Sequence, residues 1–348
     1  MLGPRFRLSL RSAIAASTAL LIALAFQWPY PYWAAIMVIV IMSPSLSASI
    51  SLFPLRLAGV ATGSALGFLI VAFFGQDRIP FLVAMSAVSF IVGIGTSSPR
   101  YGPFFLLGGI AIPAVAIFGY ANFLQAGPIA FYRFAASALG VLVFTVSHLV
   151  IWPGYSPPPA SPTPPPARPL VEDTRFLFGI PLRRWLSGAR LAIGVALALI
   201  LWFELRPPGA YIEALIACVL LTICSSMPQP RILYALGGIL CASVAAFCVA
   251  YLGWAALPLG PETLLLTVTP VLFLFALAQT AGPPYALFGV FGSVMFLVAL
   301  NLSHTQTFDI RIVISRCLGI AIGGIVAALV LRIFWPPIAG QGSGTNFF

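Results

Sequence analysis

Residues 29–45, PYPYWAAIMVIVIMSPS, set two prolines and three aromatics ahead of an apolar run and close it with Ser-Pro-Ser. Tyr and Trp favour the headgroup layer of a bilayer, so the opening cluster reads as an interfacial turn that anchors a membrane helix. Pro44 removes a backbone donor and bends or ends that helix. The plan returns in residues 207–226, PPGAYIEALIACVLLTICSS, where Tyr211 stands 179 positions after Tyr32. A helix interrupted at membrane depth is tolerated only inside protein or against a wet cavity. Interruptions at corresponding places in two halves point to a central pathway.

Composition fits. Of the 348 residues, 61% are apolar and only 7% are charged, against about 25% charged in soluble domains; the mean hydropathy is +1.07. All 17 basic residues are Arg, so the net charge of +10 is carried by arginine alone. These arginines are scattered between hydrophobic spans, which fits membrane topology and not nucleic-acid binding. The absence of Lys removes the Gly-Lys-Ser/Thr phosphate loop of ATPases. The cysteines, Cys218, Cys224, Cys241, Cys248 and Cys317, lie in apolar spans without metal-site spacing, so neither a metal nor another cofactor is expected.

Stretches long enough to cross about 30 Å of hydrocarbon recur along the chain, giving about twelve spans. The expected fold is an all-α integral membrane protein of two parallel six-helix repeats. Its first repeat covers 1–152, a Pro-rich cytoplasmic linker 153–186, the second repeat 187–336, and a short tail 337–348. The repeats match at both ends. RSAIAASTALLIALAF from Arg11 aligns with RLAIGVALALILWFEL from Arg190, and Arg133-x6-Gly140-x11-Trp152-Pro153 with Arg316-x6-Gly323-x11-Trp335-Pro336. With six spans each, both copies begin on the same side, so the pseudo-two-fold axis lies along the membrane normal. Arg78, Arg133, Arg206, Arg311 and Arg316 fall on one side and the other twelve of the 17 on the opposite one. The positive-inside bias then puts both termini in the cytoplasm.

PYWAAIMVIVIMSPSLSAS, the following LRLAGVATGSALG and the Arg-Gly-Trp-Pro element together resemble the fusaric acid resistance and aromatic acid exporter family of bacterial inner-membrane proteins. The resemblance implies efflux of aromatic carboxylic acids and similar weak acids, beside a periplasmic adaptor and an outer-membrane channel. It also implies a distant relationship to plant aluminium-activated malate transporters, which are anion channels. Many members of the family carry a substantial cytoplasmic domain, whereas this chain has a linker of about thirty residues there.

Few residues carry chemistry. Glu213 replaces Ala34 of the first copy; a carboxyl there can exchange a proton with the pathway, or can pair with Arg206 at the interface. Arg133 and Arg316 occupy matching places. Facing inward they form a paired carboxylate site; facing outward they snorkel to the interface. Ser43, Ser45 and Ser47 offer hydroxyls at the interrupted helix. His148 titrates near neutrality and is a second proton candidate or a structural histidine. Gly59, Gly63 and Gly67 share one helix face and admit a close helix neighbour.

The function expected is proton-coupled efflux of aromatic or hydrophobic weak acids across the bacterial inner membrane, with no enzymatic activity. A passive organic-anion channel or uniporter on the same fold is the alternative. A membrane-embedded lipid enzyme fits less well, because no acids, histidines and nucleophiles converge. Expected partners are the weak-acid substrate, the lipid bilayer, an adaptor with its outer channel, and a second copy of the chain in a homo-oligomer; nucleic acid is not among them.

Overall fold

The computed structural model describes residues 3–42, 46–98, 100–151, 176–177, 180–205, 210–225, 232–254, 260–282, 285–300, 302 and 310–334. Twelve α-helices account for most of them. They are α1 (Pro4–Ala25), α2 (Tyr32–Val40), α3 (Leu46–Phe74), α4 (Arg78–Thr96), α5 (Gly102–Ala121), α6 (Ala126–Val150), α7 (Leu182–Leu205), α8 (Ala210–Ser225), α9 (Ile232–Cys248), α10 (Pro261–Thr280), α11 (Tyr285–Leu300) and α12 (Ile310–Phe334). A π-helical turn, Val249–Trp254, continues α9. A two-residue antiparallel pairing, Phe176–Leu177 with Ile180–Pro181, precedes α7.

Nine of these helices are long and apolar enough to cross a membrane. The expectation of twelve spans departs from the structure in length. The apolar run after Pro31 suggested a helix from about 33 to 50, yet α2 has only 9 residues, about 13 Å at 1.5 Å each. Such a helix covers less than half of the hydrocarbon. α8 and α11, with 16 residues each, are also short.

The short helices are the most deeply buried. In α2 every residue from Tyr32 to Ile39 is buried, and burial is as continuous along Ile212–Thr222 of α8 and Gly289–Leu300 of α11 except at Val290. α5 is similarly enclosed from Leu107 to Gly119. Helices apolar on all sides and covered on all sides belong at the centre. Peripheral helices bury one stripe. Phe81, Met85, Ser89 and Val92 of α4 are buried at steps of three and four, and Leu264, Val268, Leu272 and Phe275 of α10 repeat that stripe 183 residues later.

Helix pairing repeats with the same order. α3 packs on α5 and α9 on α11; α2 packs on α6 and α8 on α12; α1 packs on α2 and α7 on α8. Contacts between the chain halves also come in twos: α4 with α7 and α10 with α1, then α5 with α8 and α11 with α2. At the first of these a Cβ on Gly93 would lie 2.7 Å from the Gly188 Cα, so the two backbones touch. At the second, hydroxyls take over: Ser9 Oγ meets Thr280 Oγ1 at 3.1 Å and Ser17 Oγ meets Thr269 Oγ1 at 2.8 Å.

Close approach is built from glycine elsewhere too. Gly59, Gly63 and Gly67 of α3 all face the α5 backbone, where a Cβ would run into the carbonyl oxygens of Phe104, Gly108 and Ile112 respectively. Gly238 of α9 lies in the same way against the carbonyl of Phe288 in α11. Gly140 of α6 sits on the carbonyl of Ala34, and Gly323 of α12 on that of Glu213.

The aromatic turn before α2 has its own cap. Gln27 adopts φ 55°, the left-handed conformation usually given to glycine after a helix. The Trp28 N–H donates to Ala23 O at 3.1 Å and the Gln27 N–H to Leu24 O at 2.9 Å. That pair of hydrogen bonds ends α1 and turns the chain directly into Trp28, Tyr30 and Tyr32.

Candidate functional site

Arg133 and Arg316 each lie about two turns into their helices, and both are buried, at 4% and 6% exposure. Neither reaches the surface as a snorkelling arginine does. The Arg133 guanidinium carbon stands 4.0 Å from the centroid of the Trp33 ring, and its Nη1 donates to Ser137 Oγ at 3.2 Å. Arg316 Nη1 donates to the Val298 carbonyl of α11 at 2.9 Å. The Nε of each arginine is buried without a hydrogen-bond partner. Among the described residues neither arginine pairs with a carboxylate.

Tyr32 joins them. Its hydroxyl is buried and lies close to Arg316, the stronger influence on it, and within reach of Arg133. Tyr30, in the preceding turn, has its phenol pushed up by burial, with Tyr32 and Tyr211 adding to the effect and Arg316 opposing it. Ring contacts complete the enclosure: Tyr32 with Trp33 at 5.4 Å, Tyr30 with Phe118 at 5.7 Å, and Phe118 with Tyr211 at 5.1 Å. Two cations, from α6 and α12, thus share Tyr32 as a neighbour, beside aromatic rings drawn from α2, α5 and α8. Buried charge without a partner is costly by several kcal/mol, and guanidinium groups bind carboxylates bidentately. The arrangement is suited to an organic anion.

Below this cluster α2, α5, α8 and α11 enclose a narrow apolar seam of about 20 Å³, bounded by Trp33, Ile110, Leu215, Val219, Phe291 and Val298 among others. That volume holds no more than about one water. Trp33 and Val298, the partners of the two arginines, therefore also form the upper end of the seam. Val40 lies at its other end.

Glu213 is buried at 2% exposure, and its Oε2 has no hydrogen-bond partner. Its backbone carbonyl faces Gly323, seven residues along α12 from Arg316, or about 10 Å. The carboxyl is thus carried on one of the four seam helices. Arg206, its expected interfacial partner, lies outside the described residues, as do Ser43 and Ser45. Ser47 falls in the first turn of α3, in a part whose side chains are not described.

His148 is remote from this group. Fifteen residues separate it from Arg133 on α6, about 22 Å of helix. Its Nδ1 lies 3.1 Å from Phe144 O; a carbonyl only accepts, so Nδ1 carries the proton. The ring packs edge-on against Phe144 at 4.5 Å.

Sequence reasoning treated Tyr32 and Trp33 as interface anchors and passed over Phe118 and Tyr211. One signal was available for two of these: Tyr32 and Tyr211 are the aromatic retained at matching places in both halves.

Residues 18–146 match the family model described as fusaric acid resistance protein-like. No curated protein and no solved structure matches the chain significantly.

Proposed function

We propose, from a first half that is fusaric acid resistance protein-like, that this chain is a membrane transporter of aromatic or hydrophobic weak acids, working by exchange with protons in the direction of efflux. One observation carries the reading: two buried arginines from separate halves of the chain both act on the buried Tyr32, and among the described residues neither pairs with a carboxylate. An anion held there satisfies both guanidinium groups, and its ring lies among Trp33, Tyr30 and Phe118. The repeated helix pairing supports two parallel six-helix repeats related by a pseudo-two-fold axis through the apolar seam.

Proton coupling is assigned to Glu213. A carboxyl buried on one of the seam helices is stable when protonated and must recover charge when water reaches it. This favours exchange over a passive channel, which has no use for a titrating group. Residence in the bacterial inner membrane with cytoplasmic termini, and cooperation with a periplasmic adaptor, extend the same reading.

The test is uptake of a labelled aromatic carboxylate into proteoliposomes under an imposed pH gradient with the membrane potential clamped. Accumulation beyond the passive distribution in empty liposomes, abolished in Glu213→Gln, is the expected result. Flux that merely reaches the passive distribution, unchanged in that variant, replaces the exchanger with a channel or uniporter.

A further inference from the structure

Beside the end of the seam opposite the arginine pair lies a cavity of about 290 Å³. Val40 borders both spaces. From Trp33 to Val40 is seven residues of α2, about 10 Å. Arg56 of α3, Thr96 and Ser98 at the end of α4, and Leu106 and Leu107 of α5 form the other walls. The cavity is near the lower end of the range for small-molecule sites, about 300 to 1,000 Å³.

Arg56 gives it a charge. Its Nη1 reaches Ile41 O at 3.4 Å, a long contact with the carbonyl that follows α2, and among the described residues it has no carboxylate partner. Ser98 Oγ accepts from the Tyr101 N–H at 3.3 Å, which leaves its own proton to donate. The packing of α3 does not explain the arginine. Counting 179 residues on, as from Val60 to Ile239 and from Val71 to Ala250, all four fully buried, Arg56 falls on Ala235, which is itself fully buried. The second half thus fills this place with a methyl group, whereas the first half has a cation beside open volume. Glu213 is asymmetric in the opposite sense, with Ala34 as its counterpart.

We propose that this cavity is a second binding site for the transported anion, taking a single-ring carboxylate with its charge on Arg56 and Ser98 and its ring against Val40, Leu106 and Leu107. This rests on the proposed function and adds where the substrate waits while the seam is closed. The protein then holds two stations, one built by both halves and one by the first half alone, with the apolar seam between them.

The probe is 4-fluorobenzoate, presented in turn to each face of the full-length protein in oriented proteoliposomes. Arg56→Gln keeps an amide donor for Ile41 O and removes the charge; Arg56→Lys keeps the charge; Leu106→Trp fills the cavity. Loss of a charged hydrogen-bonding partner is expected to raise KM from the Arg56 side about tenfold in Arg56→Gln. Leu106→Trp should show a comparable rise and Arg56→Lys a substantial recovery, with KM from the opposite side unchanged in all three. Wild-type KM in both Arg56→Gln and Leu106→Trp, or equal loss from both faces in Arg56→Gln and Arg56→Lys, overturns the second site while leaving the transporter intact. A wild type that moves no 4-fluorobenzoate from either face overturns the proposed function and this site with it.

Discussion

The Arg133 guanidinium lies over the face of Trp33, 4.0 Å from the ring centroid, with both residues buried. A desolvated cation over an indole gains about 2 kcal/mol, so the ring holds the arginine in place without neutralising it. A carboxylate partner would cancel the charge, whereas an aromatic one leaves it available to a ligand.

Removing the ring should therefore weaken substrate binding without abolishing it. Trp33→Leu is expected to raise the Kd for an aromatic carboxylate by about tenfold, and Arg133→Gln by more, because the latter also removes the bidentate donor. Isothermal titration of the detergent-solubilised protein checks the order. Equal affinity in Trp33→Leu and wild type would remove the indole from the site.

Glycine positions give a test of the helix pairing. Gly238 lies on the Phe288 backbone, whereas a Cβ on its neighbour Gly237 would meet only the Phe288 ring at 3.5 Å. Gly238→Ala should cost about 1–3 kcal/mol through overpacking, Gly59→Ala a similar amount against Phe104, and Gly237→Ala little. Thermal unfolding in detergent, read as Tm, orders the three.

At Gln27 the opposite sign is expected. A non-glycine residue in the left-handed conformation costs about 1 kcal/mol, so Gln27→Gly should raise Tm while preserving the turn. A fall in Tm would mean that the Gln27 side chain contributes more than its backbone strain removes.

The Ser17 and Thr269 hydroxyls, 2.8 Å apart across α1 and α10, join the two halves. Interhelical hydrogen bonds in membranes average about 0.6 kcal/mol. A double-mutant cycle of Ser17→Ala and Thr269→Val should return a coupling energy of that size, and additive single effects would show that the pair contributes packing only.

Much of this was legible in the sequence, for identifiable reasons. Arg133 and Arg316 stood out because a charge is rare in an apolar span and because the repeat set them at matching places. Twelve helices followed from apolar runs and their punctuation. The length of α2 did not, since Ile41 and Met42 are as apolar as the residues before them, and Pro44 marks a break without showing that the helix stops at Val40. The arrangement of the seam was beyond reach. Hydropathy sees an all-round apolar helix but not which four such helices share an axis, and it cannot tell that volume remains beside Arg56 while Ala235 is packed.

The register between the two halves is not constant. It is 179 residues at Val71 and Ala250 and 183 at Phe81 and Leu264, so the second half takes in four more residues between the end of α9 and the start of α10. The π-helical turn Val249–Trp254 falls in that interval, and its wider winding takes up part of the added length. Chain length is therefore adjustable at this point of the second half without misaligning its buried stripes. Related sequences that differ in length between these two helices should keep the arginine of α12 opposite that of α6, because the slack is taken up before the chain returns to the centre.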